Sequence, residues 1–190
     1  MTKADALVLV DVQRDFLPGG ALAVPAGDAV VPVLNRYIAL ARERGIPIFA
    51  TRDWHPANHC SFNAQDGPWP PHCMSDTDGA QFAPGLELPA DAHIISKATV
   101  PFPDSYSGFG GTTLSADLRE RRVKRLLVGG LATDYCVLNT VLDAIREGFE
   151  VVLLTDAIRA VNVQAEDGER AESRMRSAGA RPARFADFAS

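Results

Sequence analysis

The chain has 190 residues, 46% of them hydrophobic, and a formal net charge of −5 from 24 acidic and 19 basic residues. This length fits one globular domain, and the composition is not that of a disordered chain. The charges are interspersed without a basic block, which disfavours a nucleic-acid partner. Apolar runs are too short for a signal-peptide core or a membrane span, so we expect a cytoplasmic protein with no membrane partner.

Short apolar runs alternate with amphipathic segments along the chain. The runs predict strands at 6–10, 46–50, 93–96, 123–128 and 151–154, with a short last strand near 184–185. Helical spacing predicts helices over 28–44, capped by Asp28 and stopped by Gly45, from Thr133 to Gly148, and over 165–178, stopped by Gly179. This order predicts an α/β fold, a three-layer α/β/α sandwich with a mostly parallel, roughly six-stranded sheet.

The stretch from 54 to 88 interrupts this alternation. It has no clear period and is rich in Pro, Gly, Asn, Asp, His and aromatic residues. A loop of this length inside a compact domain is usually functional. Since no linker or repeat divides the chain, we predict a single domain over 1–190, with a metal-binding loop excursion at about 53–88.

Polar and reactive residues follow four of the predicted strands. They are Asp11, Asp53, Lys97 and the turn over 133–136. In open parallel sheets, ligands bind outside the carboxyl ends of the strands. We therefore expect these groups to converge on one edge of the sheet.

Cys136 is the candidate nucleophile. The chain has three cysteines and no export signal, which favours free thiols over a disulfide framework. If Thr133 caps the helix, Cys136 lies in its first turn, where the helix dipole favours a thiolate and unpaired amides can bind an oxyanion. The alternative, a buried structural cysteine, is the commoner role of a lone cysteine.

Asp11 and Lys97 are candidate partners of that thiol. A carboxylate at position 11 could act as general base toward a thiol and then as general acid toward leaving ammonia. A capping role is the alternative for Asp11, and we assign a structural role to the nearby Asp15. A lysine beside a thiolate stabilises negative charge, although an exposed lysine at a strand end is the commoner case.

Three of the four histidines fall in the long loop. Asp53 and His55 are two residues apart, so in extended backbone their side chains point the same way. With His72 they offer a carboxylate and two imidazoles, a set that suits zinc, iron or manganese with open positions. His59 is an additional candidate ligand, and ordinary surface histidines are the alternative interpretation.

Phe16, Trp69 and Tyr106 could line a slot for a flat ring, with ordinary packing as the alternative. The glycines at 108–111 lack the spacing of a dinucleotide-binding motif, and the sequence has no phosphate-binding loop motif. The Gly-x-Ser-x-Gly motif is absent as well. Nucleotide binding and a serine hydrolase are therefore unsupported.

Over nearly its whole length the chain resembles the isochorismatase-like cysteine hydrolases, and among them the nicotinamidases, also called pyrazinamidases. The motifs that carry the resemblance are 10–16 (VDVQRDF), 51–56 (TRDWHP), 69–73 (WPPHC), 104–109 (DSYSGF) and 130–137 (GLATDYCV). The first and last belong to the wider superfamily. The metal loop and the segment 69–73 point to the nicotinamidases.

The resemblance implies roles for particular residues. It implies a catalytic triad of Asp11, Lys97 and Cys136, and metal ligands Asp53, His55 and His72, with His59 at a position that ligates in some members only. It implies an oxyanion hole from the amides of Ala132 and Cys136, with a cis peptide between Leu131 and Ala132. It places Phe16, Trp69 and Tyr106 at ring-packing positions.

The resemblance also implies an activity. A nicotinamidase converts nicotinamide to nicotinate and ammonia through a cysteine thioester, in NAD salvage, and we expect pyrazinamide to be hydrolysed too. The expected cofactor is one divalent metal ion, zinc, with iron or manganese as alternatives. The expected partner is a small carboxamide, and a homo-oligomer is left open. The alternatives are a superfamily amidase acting on a carbamoyl or ureido substrate, and a metal-stabilised binding module without catalysis.

Two positions and one short segment depart from the pattern of the nicotinamidases. Ala98 follows the lysine where glycine is usual, Cys60 replaces a small residue without a thiol, and the segment 100–103 (VPFP) is more apolar than usual. These departures bear on the fine substrate preference and leave the triad intact.

Overall fold

The structure, a computed structural model, describes residues 1–188 and contains a six-stranded sheet in which every strand pair is parallel. The strands are β1 (Asp5–Val10), β2 (Ile48–Asp53), β3 (His93–Lys97), β4 (Arg125–Leu131), β5 (Glu150–Arg159) and β6 (Arg181–Ala183). Across the sheet their order is β3-β2-β1-β4-β5-β6. The predicted α/β sandwich with a mostly parallel sheet is confirmed.

Helices cover both faces of the sheet. They are α1 (Val30–Glu43), α2 (Leu114–Glu120), α3 (Leu138–Arg146) and α4 (Asp167–Ala178). Alternate residues of β1 pack into two cores, one shared with α1 and the other with α2, α3 and α4. Burial on both faces explains why β1 is an unbroken apolar run after its first residue. Within residues 1–188, no helix is long and apolar enough to span a bilayer.

Most of the element boundaries lie close to the predictions, but the position of the last strand and the cap of α1 differ from them. The last strand is β6 and not 184–185, because Phe185 leaves the sheet and packs edge-on against Tyr37 at 5.1 Å. Asp28 does not cap α1, because it lies within a short 3-10 turn, Gly27–Ala29, that precedes the helix. Gly45 and Gly179 follow α1 and α4 with positive φ, as helix-stopping glycines do.

The strand order places a crevice between β1 and β4. Successive strands after β1 are added on one side of it, through β2 to β3, whereas β4, β5 and β6 extend the other side. At such a reversal the connecting chains leave in opposite directions and open a cleft at the carboxyl ends of the strands. Asp11 follows β1 and the turn with Cys136 follows β4, so both border this cleft.

The chain between β2 and β3 is irregular, as predicted. Within 54–88 it forms one short 3-10 turn, Asn63–Gln65, and isolated bridges. Its end pairs with the segment after β1, where Gln13 and Phe82 form an antiparallel bridge. The loop therefore returns to the cleft before it enters β3.

Candidate active site

The three residues of the predicted triad meet in the cleft. Lys97, the last residue of β3, reaches across β2, and its Nζ lies 3.0 Å from Asp11 Oδ2 and 3.6 Å from Cys136 Sγ. All three side chains are buried. The structure therefore does not support an exposed strand-end role for Lys97.

The Asp11 carboxylate is oriented by Thr51 on the neighbouring strand. Thr51 Oγ1 donates to Asp11 Oδ1 at 2.6 Å and accepts the Asp11 amide at 3.2 Å. Among the described residues no directed hydrogen bond reaches Oδ2, which faces the Lys97 ammonium. Burial raises the pKa of Asp11, and the charge of Lys97 only partly opposes this. Asp11 is therefore a stronger base than an exposed aspartate.

Cys136 lies in a wide turn and not in a regular first turn of a helix. The turn, Thr133–Val137, is π-helical and leads into α3, and the residue before it is Ala132, which is extended and makes no side-chain cap. The predicted Thr133 cap is wrong for this reason. Burial raises the pKa of the Cys136 thiol well above its usual value, and Lys97 opposes this only in part. The expected resting thiolate is not supported, so attack by the sulfur requires a base.

The backbone around this turn is tightly packed. The Ala132 carbonyl accepts the amides of Tyr135 at 3.1 Å and Val137 at 3.0 Å, and the peptide between Leu131 and Ala132 is cis. Gly130 has a φ of +127°, and a Cβ there would collide with the backbone of Val10. Glycine thus allows the end of β4 to lie close to β1, which brings Cys136 toward Asp11.

A second group of ligand-type side chains lies beside the triad. Asp53, His55 and His72 are buried, and each offers one ligand atom within 4.8 Å of the other two. The Nδ1 atoms of His55 and His72 lie 3.3 Å and 2.8 Å from backbone carbonyls of Ala98 and Pro70. A carbonyl oxygen can only accept, so both Nδ1 atoms donate, and this orients each ring with its Nε2 directed away from the carbonyl.

The donor set fits a divalent cation. His55 Nε2 is buried, has no hydrogen-bond partner within residues 1–188, and lies 3.6 Å from Asp53 Oδ2. Burial lowers the pKa of His72, which favours the neutral imidazole that binds metals. Burial alone would raise the pKa of Asp53, but Lys97 and His55 outweigh it and lower the pKa. An ionised Asp53 and a neutral His72 are therefore the forms that the structure favours here.

His59 lies next to this group but outside it. Its ring stacks on His55 with centroids 4.1 Å apart, and its Nδ1 lies 2.7 Å from Ser61 Oγ. Its Nε2 is buried 3.8 Å from Asp104 Oδ1, and no described residue forms a hydrogen bond with it. His59 is thus adjacent to the three-residue group without completing it.

Lys97 connects the two groups. Besides facing Asp11 and Cys136, its Nζ donates to Asp53 Oδ1 at 2.5 Å and to the Ser105 carbonyl at 3.1 Å. One ammonium thus lies between two buried carboxylates. The triad and the ligand group form one continuous polar centre.

An aromatic slot opens onto this centre. Phe16, Trp69 and Tyr106 line it together with Cys136 and His72. Trp69 Nε1 donates to the Tyr106 hydroxyl at 2.9 Å, which fixes one wall. On the other wall, the ring centroids of Phe16 and His72 lie 5.7 Å apart. Aromatic walls of this kind suit contact with the faces or edges of a flat ring.

The sequence did not single out Gln13, Thr51 or Tyr135, which also shape the centre. Tyr135 lines the slot with its ring 5.1 Å from Trp69, and Thr51 orients Asp11. Gln13 is fully buried and bonds the backbone of Asp53. All three lie within the motifs that carry the family resemblance, at 10–16, 51–56 and 130–137, but those motifs assigned them no individual role. Asp15 has a structural role, accepting the Cys73 amide at 2.7 Å.

Comparison with known proteins gives consistent matches over the chain. A model of the isochorismatase domain matches residues 5–187. The nicotinamidase of Escherichia coli (strain K12) is 44% identical to this chain, and the match covers 96% of each chain. The nicotinamidase/pyrazinamidase of Mycobacterium tuberculosis (strain ATCC 25618 / H37Rv) is 39% identical over 91% of this chain and 95% of its own.

A solved structure shows the same likeness. The pyrazinamidase of Pyrococcus horikoshii, determined in complex with zinc, superposes with a TM-score of 0.92 at 52% identity, covering 96% of this chain and 99% of its own.

Proposed function

The chain belongs to the isochorismatase family, and we propose that it is a nicotinamidase, which hydrolyses nicotinamide to nicotinate and ammonia and also accepts pyrazinamide. The observation that carries this proposal is the contact of Lys97 with Asp11 and with Cys136, which itself lines an aromatic slot. A nucleophile, a base and a cation in contact below a slot for a flat ring suit the hydrolysis of an aromatic carboxamide. In the cell the reaction would serve NAD salvage in the cytoplasm.

The first half of the reaction forms a thioester. Asp11 takes the proton of the Cys136 thiol while the sulfur attacks the carboxamide carbon and a C–S bond forms. The amides of Ala132 and Cys136 would hold the resulting oxyanion, a role that the wide turn at 133–137 supports. As the intermediate collapses, the C–N bond breaks and Asp11 returns the proton to the nitrogen, which leaves as ammonia.

The second half releases the acid. Asp11, again a carboxylate, removes a proton from a water molecule, and the water oxygen attacks the thioester carbon. The C–S bond then breaks, the sulfur takes back a proton, and nicotinate leaves. Across both halves one amide and one water give one carboxylic acid and one ammonia, which balances the reaction.

Lys97 stabilises the charges that these steps create. Its ammonium lies 3.6 Å from Cys136 Sγ and would favour the thiolate as the proton leaves. It also neutralises Asp53, so two carboxylates can lie in one buried centre.

Asp53, His55 and His72 would hold one divalent ion, zinc, with iron or manganese as alternatives, and His59 is the candidate for a further ligand. When bound, the ion would supply a Lewis acid beside the slot. The buried Nε2 of His55, which forms no hydrogen bond in the described part of the chain, supports this assignment.

Ammonia release from nicotinamide, with metal analysis of the same preparation, tests the proposal. We expect turnover of nicotinamide and pyrazinamide and none of an N-carbamoyl amino acid, because the slot walls are aromatic. We also expect loss of activity on chelation and recovery on return of zinc, iron or manganese. Turnover confined to the carbamoyl compound would favour a different amidase of the family. No turnover by a metal-loaded, folded protein would favour a binding module.

A further inference from the structure

Gln13 stands out among the buried polar residues that the proposed reaction does not use. It lies two residues beyond Asp11 and has no exposed surface. Its Nε2 donates to the carbonyl of Asp53 at 2.8 Å and to that of Ala80 at 2.9 Å. Its Oε1 accepts the Asp53 amide at 2.8 Å. The side-chain amide is thus fully used, and two of its three hydrogen bonds go to the same residue.

These two bonds take the place of the hydrogen bonds that a neighbouring strand would make with Asp53. On one side Asp53 pairs in register with Lys97 of β3. On the other side the main chain of β1 turns away after Asp11, whose φ is +48°, so it no longer runs beside β2. The Gln13 amide takes its place and satisfies both the N–H and the C=O of Asp53. Such a pair of bonds fixes the peptide planes on both sides of the Asp53 Cα.

The same residue also ties down the end of the long loop. Its third bond reaches Ala80, and the backbone of its segment pairs with the loop end, where Arg14 N–H donates to Gln81 at 2.9 Å and Ala83 N–H donates to Val12 at 2.8 Å. The start and the end of the loop that carries His55 and His72 are thus held by one short segment.

We propose that Gln13 is a positioning residue for the metal site, setting the direction of the Asp53 carboxylate by holding its backbone. This rests on the proposed function only in taking Asp53, His55 and His72 as metal ligands. Residues that orient metal ligands influence affinity strongly, and their loss commonly weakens binding about 10- to 100-fold. Gln13 acts through the backbone of a ligand and does not touch the ion.

The test is zinc affinity, measured on metal-free protein by competition with a chromophoric chelator. Gln13→Met removes all three hydrogen bonds at similar size, and we expect zinc binding to weaken about 10- to 100-fold. Gln13→Glu keeps one acceptor but sets a buried carboxylate oxygen against the carbonyls of Asp53 and Ala80, so we expect a loss at least as large. Gln81→Met is the matched control, since the Gln81 side chain is exposed in the adjacent segment, and it should bind zinc as the wild type does.

Folding is checked by circular dichroism before each titration. Unchanged zinc affinity in folded Gln13→Met, with lower thermal stability alone, would overturn the inference in favour of a purely structural glutamine. If Gln13→Met does not fold, Gln13→Glu decides in the same way, and failure of both to fold would also overturn the assignment. A wild type that binds no zinc would overturn the inference and the metal ligands together, while ammonia release would still report separately on the proposed hydrolysis.

Discussion

The two halves of the polar centre are held in place by different means. Asp11, Lys97 and Cys136 lie at or just after the ends of β1, β3 and β4, where the hydrogen-bond ladder of the sheet determines where each strand stops. In the ligand group only Asp53 belongs to a strand. His55 and His72 lie on the irregular loop and are oriented by single bonds to carbonyls.

Because of this difference, we expect substitutions in the triad to affect mainly activity and substitutions in the ligand group to affect mainly its geometry. A strand-end residue can lose its reactive atom while the sheet keeps its position, so activity should fall without a matching loss of stability. A loop ligand depends on a few buried contacts, so small changes should alter its geometry. Lys97 belongs to both halves and should show both effects.

The largest effect on activity is expected from Cys136→Ala. It removes the proposed nucleophile, and loss of a nucleophile can lower kcat by as much as about 10⁶-fold. We expect ammonia release to fall to the background rate while circular dichroism and zinc content stay unchanged. Cys60→Ala is the control, since Cys60 lies outside the slot. Near-normal turnover by Cys136→Ala would mean that the triad of Asp11, Lys97 and Cys136 does not contain the nucleophile.

Lys97→Met should damage both halves. It leaves Asp11 and Asp53 buried without their shared cation, and breaking a buried ion pair in this way costs about 3–5 kcal/mol. We expect that loss in the free energy of unfolding by denaturant titration, together with loss of turnover. Lys124→Met, at an exposed position, should change neither. A stable, inactive Lys97→Met would restrict Lys97 to the chemistry.

The sequence was informative where regular structure sets position. Polar residues after apolar runs placed Asp11, Asp53 and Lys97 at one sheet edge, because the ends of parallel strands meet there. Gln13 could not be predicted, because its contacts with Asp53 and Ala80 span 40 and 67 residues of sequence. The wide turn before α3 also left no pattern, since the sequence there reads as an ordinary helix start.

Thr51→Val tests the hydrogen bond that orients Asp11, the proposed base of the triad. The Thr51 hydroxyl lowers the pKa of Asp11, and burial already raises it. Without that hydrogen bond the pKa should rise further, so the acid limb of the kcat/KM profile should move to higher pH. Thr155→Val on β5 is the control. An unmoved acid limb in Thr51→Val would argue against Asp11 as the base.

The smallest effect is expected from Ala98→Gly, next to the loop residue His55. Ala98 has a φ of +50°, and its carbonyl faces His55 Nδ1. A residue with a Cβ is destabilised by about 1–2 kcal/mol in this left-handed conformation, and glycine is not. Glycine loses more conformational entropy on folding, so we expect the free energy of unfolding to rise by up to about 1 kcal/mol. Ala90→Gly, at an exposed position, should lower it slightly. Equal losses in both variants would show that Ala98 is not strained.

The thioester on Cys136 is the central claim, and peptide mapping by mass spectrometry after acid quench of the working enzyme tests it most directly. The account predicts a nicotinoyl group on the peptide that contains Cys136 during turnover of nicotinamide. A nicotinoyl group on Cys60 or Cys73, or turnover with all three thiols free at every quench time, would contradict it.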